Sequence, residues 1–178
     1  MLVDETVCAG LGRLYDRTML TNAVLTAAAD AAARLRERGE TVAVAESSTG
    51  GLIAAALVAQ DGASTFFRGG LVFYDLHSMT TQLADVSELD RGKRSATEQR
   101  VRWVADSARI RLASDWGVGE TGASGPKPNP YGDPAGHSWV AAAGPRGTAT
   151  AHLLTGQNDR VANMEVFAVR ALELLARD

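Results

Sequence analysis

An uninterrupted succession of strand, turn and helix near residue 45 constrains the fold of this chain more than any other feature. Residues 41–45 are apolar and β-branched, which favours a buried strand, and residues 52–58 are rich in alanine and leucine, which favours a helix. Residues 46–51 between them read Glu-Ser-Ser-Thr-Gly-Gly. A turn of this composition brings several free backbone N–H groups and up to three hydroxyls to one point.

The turn at 46–51 has two interpretations. It can hold an anion at the N-terminus of the following helix, or it can present a serine as a nucleophile. Serine and threonine are also ordinary helix caps, and glycine is an ordinary turn residue. Spacing alone therefore leaves a functional site and a purely structural cap as alternatives.

Strand-like and helix-like segments alternate along the rest of the chain. Helices are predicted at 21–38, 51–59, 77–83, 95–114 and 159–176, and strands at 41–45, 69–74, 116–121, 137–143 and 148–154. The last two strands are joined by Gly-Pro-Arg-Gly, which is typical of an antiparallel hairpin. We therefore expect an α/β domain over 20–178: three α/β/α layers, a mixed and mostly parallel sheet of about five strands, and a C-terminal hairpin. Residues 1–19 are expected to form an irregular N-terminal extension.

Composition narrows the classes of partner. The formal net charge of −3 argues against a general nucleic-acid surface. The single cysteine, Cys8, excludes an internal disulfide, and no metal-ligand spacing is found, so neither a metal nor a cofactor is predicted. No stretch approaches the ~20 apolar residues of a membrane span, and the acidic start is unlike a signal peptide. A cytoplasmic protein with no membrane partner is predicted.

Several motifs resemble one known family in the same order. Residues 45–51, Ala-Glu-Ser-Ser-Thr-Gly-Gly, resemble the AESCTGG signature of the CinA C-terminal domain family, and Tyr74 falls at the tyrosine of its YSNEAK motif. The other similar segments are 62–70 (family GSSxxFxGG), 121–126 (TGIAGP), 134–140 (PVGTVWxA) and 158–160 (GDR). The resemblance spans roughly residues 20–176.

The resemblance implies a three-layer domain that hydrolyses a carboxamide to a carboxylate and ammonia, as do the nicotinamide mononucleotide amidohydrolases of this family. It implies Ser47 as the nucleophile, assisted by Tyr74 and by the lysine of YSNEAK. A small-molecule ligand such as a pyridine nucleotide is then expected, and self-association is an open alternative to a monomer. The expected ligand-binding residues are Glu46, Ser48, Thr49, Gly50, Gly51, Thr121, Gly122, Ser124, Gly125 and Arg160.

The lysine of the motif is missing. Met79 stands at its position, and a thioether cannot usefully accept a proton at neutral pH. A serine hydroxyl is a poor nucleophile until a neighbouring base takes its proton. His77, three residues after Tyr74, is a candidate replacement base, with a surface histidine as the alternative.

The loop at 127–133 is the second departure. Here Asp133 stands where the family usually has a lysine, and an anion at that point should weaken the binding of a phosphate or carboxylate. Three hypotheses follow: a nicotinamide mononucleotide amidohydrolase with altered machinery, a non-catalytic small-molecule binding domain, or a hydrolase of another amide or ester.

Overall fold

Helices and strands alternate through residues 20–83 and 96–177, which are the residues that a computed structural model describes. The helices are α1 (Asn22–Arg38), α2 (Leu52–Val58), α3 (Leu76–Gln82), α4 (Glu98–Arg111) and α5 (Arg160–Arg177). The strands are β1 (Val42–Glu46), β2 (Phe67–Val72), β3 (Trp116–Ala123), β4 (His137–Gly144) and β5 (Gly147–Leu154). The extension predicted at 1–19 lies outside the described residues.

The strands form one sheet in the order β2-β1-β3-β4-β5. Strand β1 runs parallel to both β2 and β3, whereas β4 is antiparallel to β3 and to β5. The β1–β3 register places Glu46 beside Glu120 at the carboxyl ends of the two strands. The three-layer fold with a five-stranded mixed sheet and a terminal hairpin is therefore confirmed, and the parallel pairings are the two that β1 makes.

Strand β1 is buried on both faces, which is why its sequence is a continuous run of small and β-branched residues. Val42 and Val44 face the layer of α1, α2 and α5. Ala43 and Ala45 face the opposite layer, where Met79 of α3 and Val104 of α4 pack. The turn at 46–51 thus leaves the sheet from an inner strand, between two covered faces.

Helix α4 packs so closely on β3 that the strand needs glycine. A Cβ at Gly117 would overlap the carbonyl oxygen of Ala105, and one at Gly119 would lie 2.7 Å from the carbonyl oxygen of Val101. Backbone atoms of a helix cannot move aside as a flexible side chain does. This contact fixes the height of α4 above the sheet and brings its first turn to the edge where β1 and β3 end.

We expect Gly117→Ala to lower the free energy of unfolding by about 1–3 kcal/mol, because the added methyl must push α4 away from β3. Val58→Ala is the control, since Val58 is 60% exposed on α2 and its truncation should cost within about 0.5 kcal/mol. Urea unfolding of both variants measures the difference. Equal stability of the two would contradict the close packing of α4 on β3.

Candidate functional site

A cavity of about 680 Å³ opens where β1 and β3 end. Residues 47–48 form part of its floor, and segments 73–80 and 121–131 contribute walls, together with Arg100 and Arg160. The carboxyl ends of parallel strands are the usual place for ligands in sheets of this kind, and the volume suits a small molecule.

Most of the residues predicted from the sequence meet at this cavity. Those that line it are Ser47, Ser48, Tyr74, Thr121, Gly122, Ser124, Gly125 and Arg160. Those that lie outside its lining are Glu46, Thr49, Gly50, Gly51 and His77. His77 is exposed on α3, so the geometry gives no support for it as the replacement base.

Glu46 stabilises the turn at 46–51 without lining the cavity. Its side chain is fully buried, and Gly51, the residue before α2, provides no side-chain cap. Glu46 instead accepts hydrogen bonds from Thr49 Oγ1 (2.8 Å) and from the backbone N–H groups of Gly51 (3.1 Å), Ile53 (3.0 Å) and Ala54 (2.8 Å). Burial raises the pKa of Glu46, and the nearby charge of Glu120 raises it further.

Glu120 is a second fully buried carboxylate at the same turn, and it is not among the site residues predicted from the sequence. The signal was present, since a glutamate interrupts a strand otherwise made of small and apolar residues. Its carboxylate accepts hydrogen bonds from the N–H groups of Ser47 (3.2 Å) and Thr49 (3.0 Å), and from the hydroxyls of Ser48, Thr49 (3.0 Å) and Ser138 (3.2 Å). The Thr49 hydroxyl therefore lies between two carboxylates.

The two adjacent serines are in different environments. Within the part of the chain that the structure describes, the hydroxyl of Ser47 has no hydrogen-bond partner, and only its backbone N–H reaches Glu120. The hydroxyl of Ser48 donates to Glu120 Oε1. The Ser48 carbonyl accepts from Ser124 Oγ at 3.0 Å, and Asn163 Nδ2 donates to the Ser124 carbonyl at 2.9 Å. These contacts fix the turn at 46–51 to the segment at 121–131, and that segment to α5.

Arg100, which is also not among the predicted site residues, lies against Met79, the residue at the position of the family lysine. The guanidinium atom Nη1 of Arg100 is 3.6 Å from Met79 Sδ, and both residues line the cavity. A guanidinium keeps its proton in proteins, so Arg100 supplies positive charge without supplying a base. The only sequence signal was a charged residue in the first turn of a helix, which is common on surfaces.

Two further cations, Lys127 and Arg160, line the cavity. Arg160 Nη1 donates to the Tyr74 hydroxyl at 3.4 Å. Asp133, by contrast, does not line the cavity and is fully buried behind the loop. Its carboxylate accepts from Asn129 Nδ2 at 2.9 Å, so the expectation that Asp133 repels a bound anion directly is not supported.

Neither a metal-binding cluster nor a membrane-spanning helix is found in residues 20–83 and 96–177, the described part of the chain. No group of three or more His, Cys, Asp or Glu side chains is arranged to hold a metal ion. None of the helices in this part of the chain is long and apolar enough to cross a membrane.

The family assignment follows from a comparison of the whole chain. The model of the CinA C-terminal domain matches residues 25–178, a segment that contains all the cavity-lining residues. The chain belongs to the CinA C-terminal domain family. The CinA-like protein of Gloeobacter violaceus is 41% identical over 157 residues, which are 86% of this chain and 36% of that protein. The CinA-like protein of Prochlorococcus marinus is 38% identical over 144 residues, 80% of this chain and 34% of that protein.

Solved structures of the CinA family share the fold. The competence/damage inducible protein CihA from Agrobacterium tumefaciens has a TM-score of 0.81 and 25% identity, covering 89% of this chain and 97% of that one. The competence or damage-inducible protein from Enterobacter asburiae has a TM-score of 0.80 and 28% identity, covering 88% and 99%. The chain spans about a third of the length of the curated relatives above.

The raised pKa of Glu46 predicts a specific pH dependence of stability. A carboxyl group whose pKa is higher in the folded state stabilises that state fully below its unfolded pKa, and the contribution is lost as the pH rises through the folded pKa. The free energy of unfolding of the wild type, relative to Glu46→Gln, should therefore fall as the pH rises from the ordinary carboxyl range towards neutrality. An increase of one pH unit in the pKa corresponds to about 1.4 kcal/mol.

Urea unfolding at a series of pH values measures this difference for Glu46. Glu173→Gln, at an exposed site on α5, should show no such trend against the wild type. A pH-independent difference between the wild type and Glu46→Gln would refute the effect of burial on Glu46.

Proposed function

We propose that the cavity binds a small anionic molecule that carries a carboxamide, of the size of a pyridine nucleotide. The observation that supports this most is the presence of three cationic side chains, Arg100, Lys127 and Arg160, around a single cavity. Arginine and lysine bind phosphate and carboxylate groups through charge-assisted hydrogen bonds. The carboxamide comes from the family resemblance, in which nicotinamide mononucleotide is the substrate.

The balance of charge in the cavity supports an anion. Among the described lining residues, the one carboxylate is that of Asp75. Asp75 caps α3 by accepting from the Ser78 N–H at 2.7 Å, and the hydrogen bonds with Ser78 lower its pKa. The same lining carries three cationic side chains, those of Arg100, Lys127 and Arg160.

The aromatic residues of the cavity support a ligand with a flat ring. Tyr74 is 70% exposed and Tyr131 is 50% exposed, and both line the cavity. The exposed face of a tyrosine can stack on a pyridine or purine ring.

Hydrolysis of the carboxamide is the second candidate. It is favoured by the two serine hydroxyls, Ser47 and Ser48, at the cavity lining. Met79 at the position of the family lysine argues for slow turnover through Ser47, because Arg100 beside it cannot accept a proton. Binding is therefore the primary proposal, and turnover is a separate question for experiment.

Arg160→Gln should weaken binding of nicotinamide mononucleotide about tenfold, or about 1.4 kcal/mol, because one charge-assisted contact to the anion is lost. Isothermal titration calorimetry gives the dissociation constants. Arg170→Gln is the matched control, since Arg170 lies on the same helix and forms an ion pair with Glu173 outside the cavity. Equal effects of the two substitutions, or no binding by the wild type, would count against the proposal.

Met79→Lys should raise the rate of ammonia release from nicotinamide mononucleotide at least about tenfold over the wild type. The positive charge of Arg100 disfavours protonation of an amine placed beside it, so a neutral amine becomes available as a base for Ser47. Met79→Leu keeps the apolar side chain and serves as the control. If Met79→Lys and Met79→Leu release ammonia equally slowly, the missing lysine is not what limits hydrolysis.

A further inference from the structure

We propose that Ser48 and Glu120 form a nucleophile and general-base pair for acyl transfer in this cavity. The inference departs from the family resemblance, which implies Ser47 and a lysine. It rests on the proposed function in one respect, namely that the cavity admits the carbonyl group of a carboxamide or ester.

The contact between the two side chains has the arrangement that an activated serine needs. Ser48 Oγ donates directly to Glu120 Oε1, and both side chains are buried. Ser48 also lines the cavity, so a single residue has a carboxylate behind it and ligand space in front. A nucleophilic hydroxyl is recognised by a base within hydrogen-bond reach. Ser47 Oγ, in the described part of the chain, contacts no such base.

The hydrogen bonds of Glu120 divide its two oxygens between different tasks. Oε2 accepts from the backbone N–H groups of Ser47 and Thr49, which can only donate. These bonds fix the carboxylate while leaving Oε1 to the hydroxyls of Ser48 and Ser138. The proton of Ser48 therefore has a defined destination, Oε1.

The Ser138 hydroxyl has an alternative acceptor when Glu120 Oε1 takes that proton. The Ser138 hydroxyl lies 3.2 Å from Glu120 Oε1 and also 3.2 Å from the carbonyl oxygen of Thr121. It can donate to the carbonyl once Oε1 is protonated. No buried hydroxyl is left without an acceptor at that stage, which avoids the cost of an unsatisfied group.

A second carboxyl group, Glu46, lies next to Glu120 at the same turn. Two carboxylates that share a buried site do not both ionise readily. Burial raises the pKa of Glu46, and the negative charge of Glu120 adds to this effect. The Thr49 hydroxyl lies between the two carboxyl groups.

The reaction balances with these groups and water. Ser48 Oγ bonds to the carbonyl carbon as its proton moves to Glu120 Oε1; the C–N bond then breaks and the nitrogen takes that proton, leaving as ammonia. Water attacks the resulting Ser48 ester and gives a proton to Glu120. The ester C–O bond breaks, Ser48 Oγ recovers the proton from Glu120, and the carboxylic acid leaves and ionises in solvent.

The test uses an alkyl fluorophosphonate, which modifies activated serines with loss of fluoride and does not require the natural ligand. After incubation of the full chain, peptide mass spectrometry locates the adduct. We expect it on Ser48, and we expect Glu120→Gln to slow its formation at least about 100-fold. Glu120→Asp keeps a carboxylate and should restore part of the rate, which a merely structural role of Glu120 would not predict.

Labelling of the wild type is sufficient to contradict the proposal, even if Glu120→Gln does not fold. An adduct on Ser47 with Ser48 unmodified, or the absence of any modified serine, would overturn the pair. Equal labelling of Ser48 in the wild type and in a folded Glu120→Gln would overturn the role of Glu120. Calorimetry with nicotinamide mononucleotide separates this from the proposed function. A labelled Ser48 without nucleotide binding would support the Ser48–Glu120 pair and contradict the nucleotide as the ligand. Nucleotide binding without a Ser48 adduct would support the ligand and contradict the pair.

Discussion

Two buried carboxylates, Glu46 and Glu120, determine the geometry of the turn on which the site is built. The parallel pairing of β1 with β3 places them side by side, and together they accept most of the N–H and hydroxyl groups between residues 47 and 54. A charged group in a protein interior must be compensated by hydrogen bonds, and the turn provides them. The consequence is that the backbone of the turn and the hydroxyl of Ser48 are held in place before any ligand arrives.

The position of one cavity cation, Arg100, is set by the packing of helix α4. Close packing of α4 on β3 brings Arg100 to the edge of the sheet, where it meets Met79 of α3. In the family pattern a single lysine combines charge with the ability to take a proton. Here Arg100 provides only charge, and the proposed pair assigns the proton to Glu120. Under this proposal the positive charge belongs to Arg100 and the base is Glu120, so the two properties can be altered by separate substitutions.

The loop at 127–133 obtains its shape from its own side chains. Asn129 Oδ1 accepts from the N–H groups of Tyr131 (3.0 Å) and Asp133 (2.9 Å), while the Asp133 carboxylate accepts from the Asn129 amide. This closed set of bonds turns Asp133 inwards and leaves Tyr131 exposed at the cavity. A position inferred from the family pattern therefore does not reveal which side chain faces the ligand.

The sequence by itself determined the order of the helices and strands and the composition of the turn at 46–51. Hydrophobic period and turn residues are local properties, and they predicted the strands at 41–45 and 116–121 close to their observed bounds. Helical period already separates His77 from Met79 by about 200°, so a buried Met79 leaves His77 outside. Only the tertiary structure decided that Glu120 lies against Ser48 and Arg100 against Met79. Strand register and helix packing create those contacts between residues distant in the chain, and local sequence patterns carry no information about them.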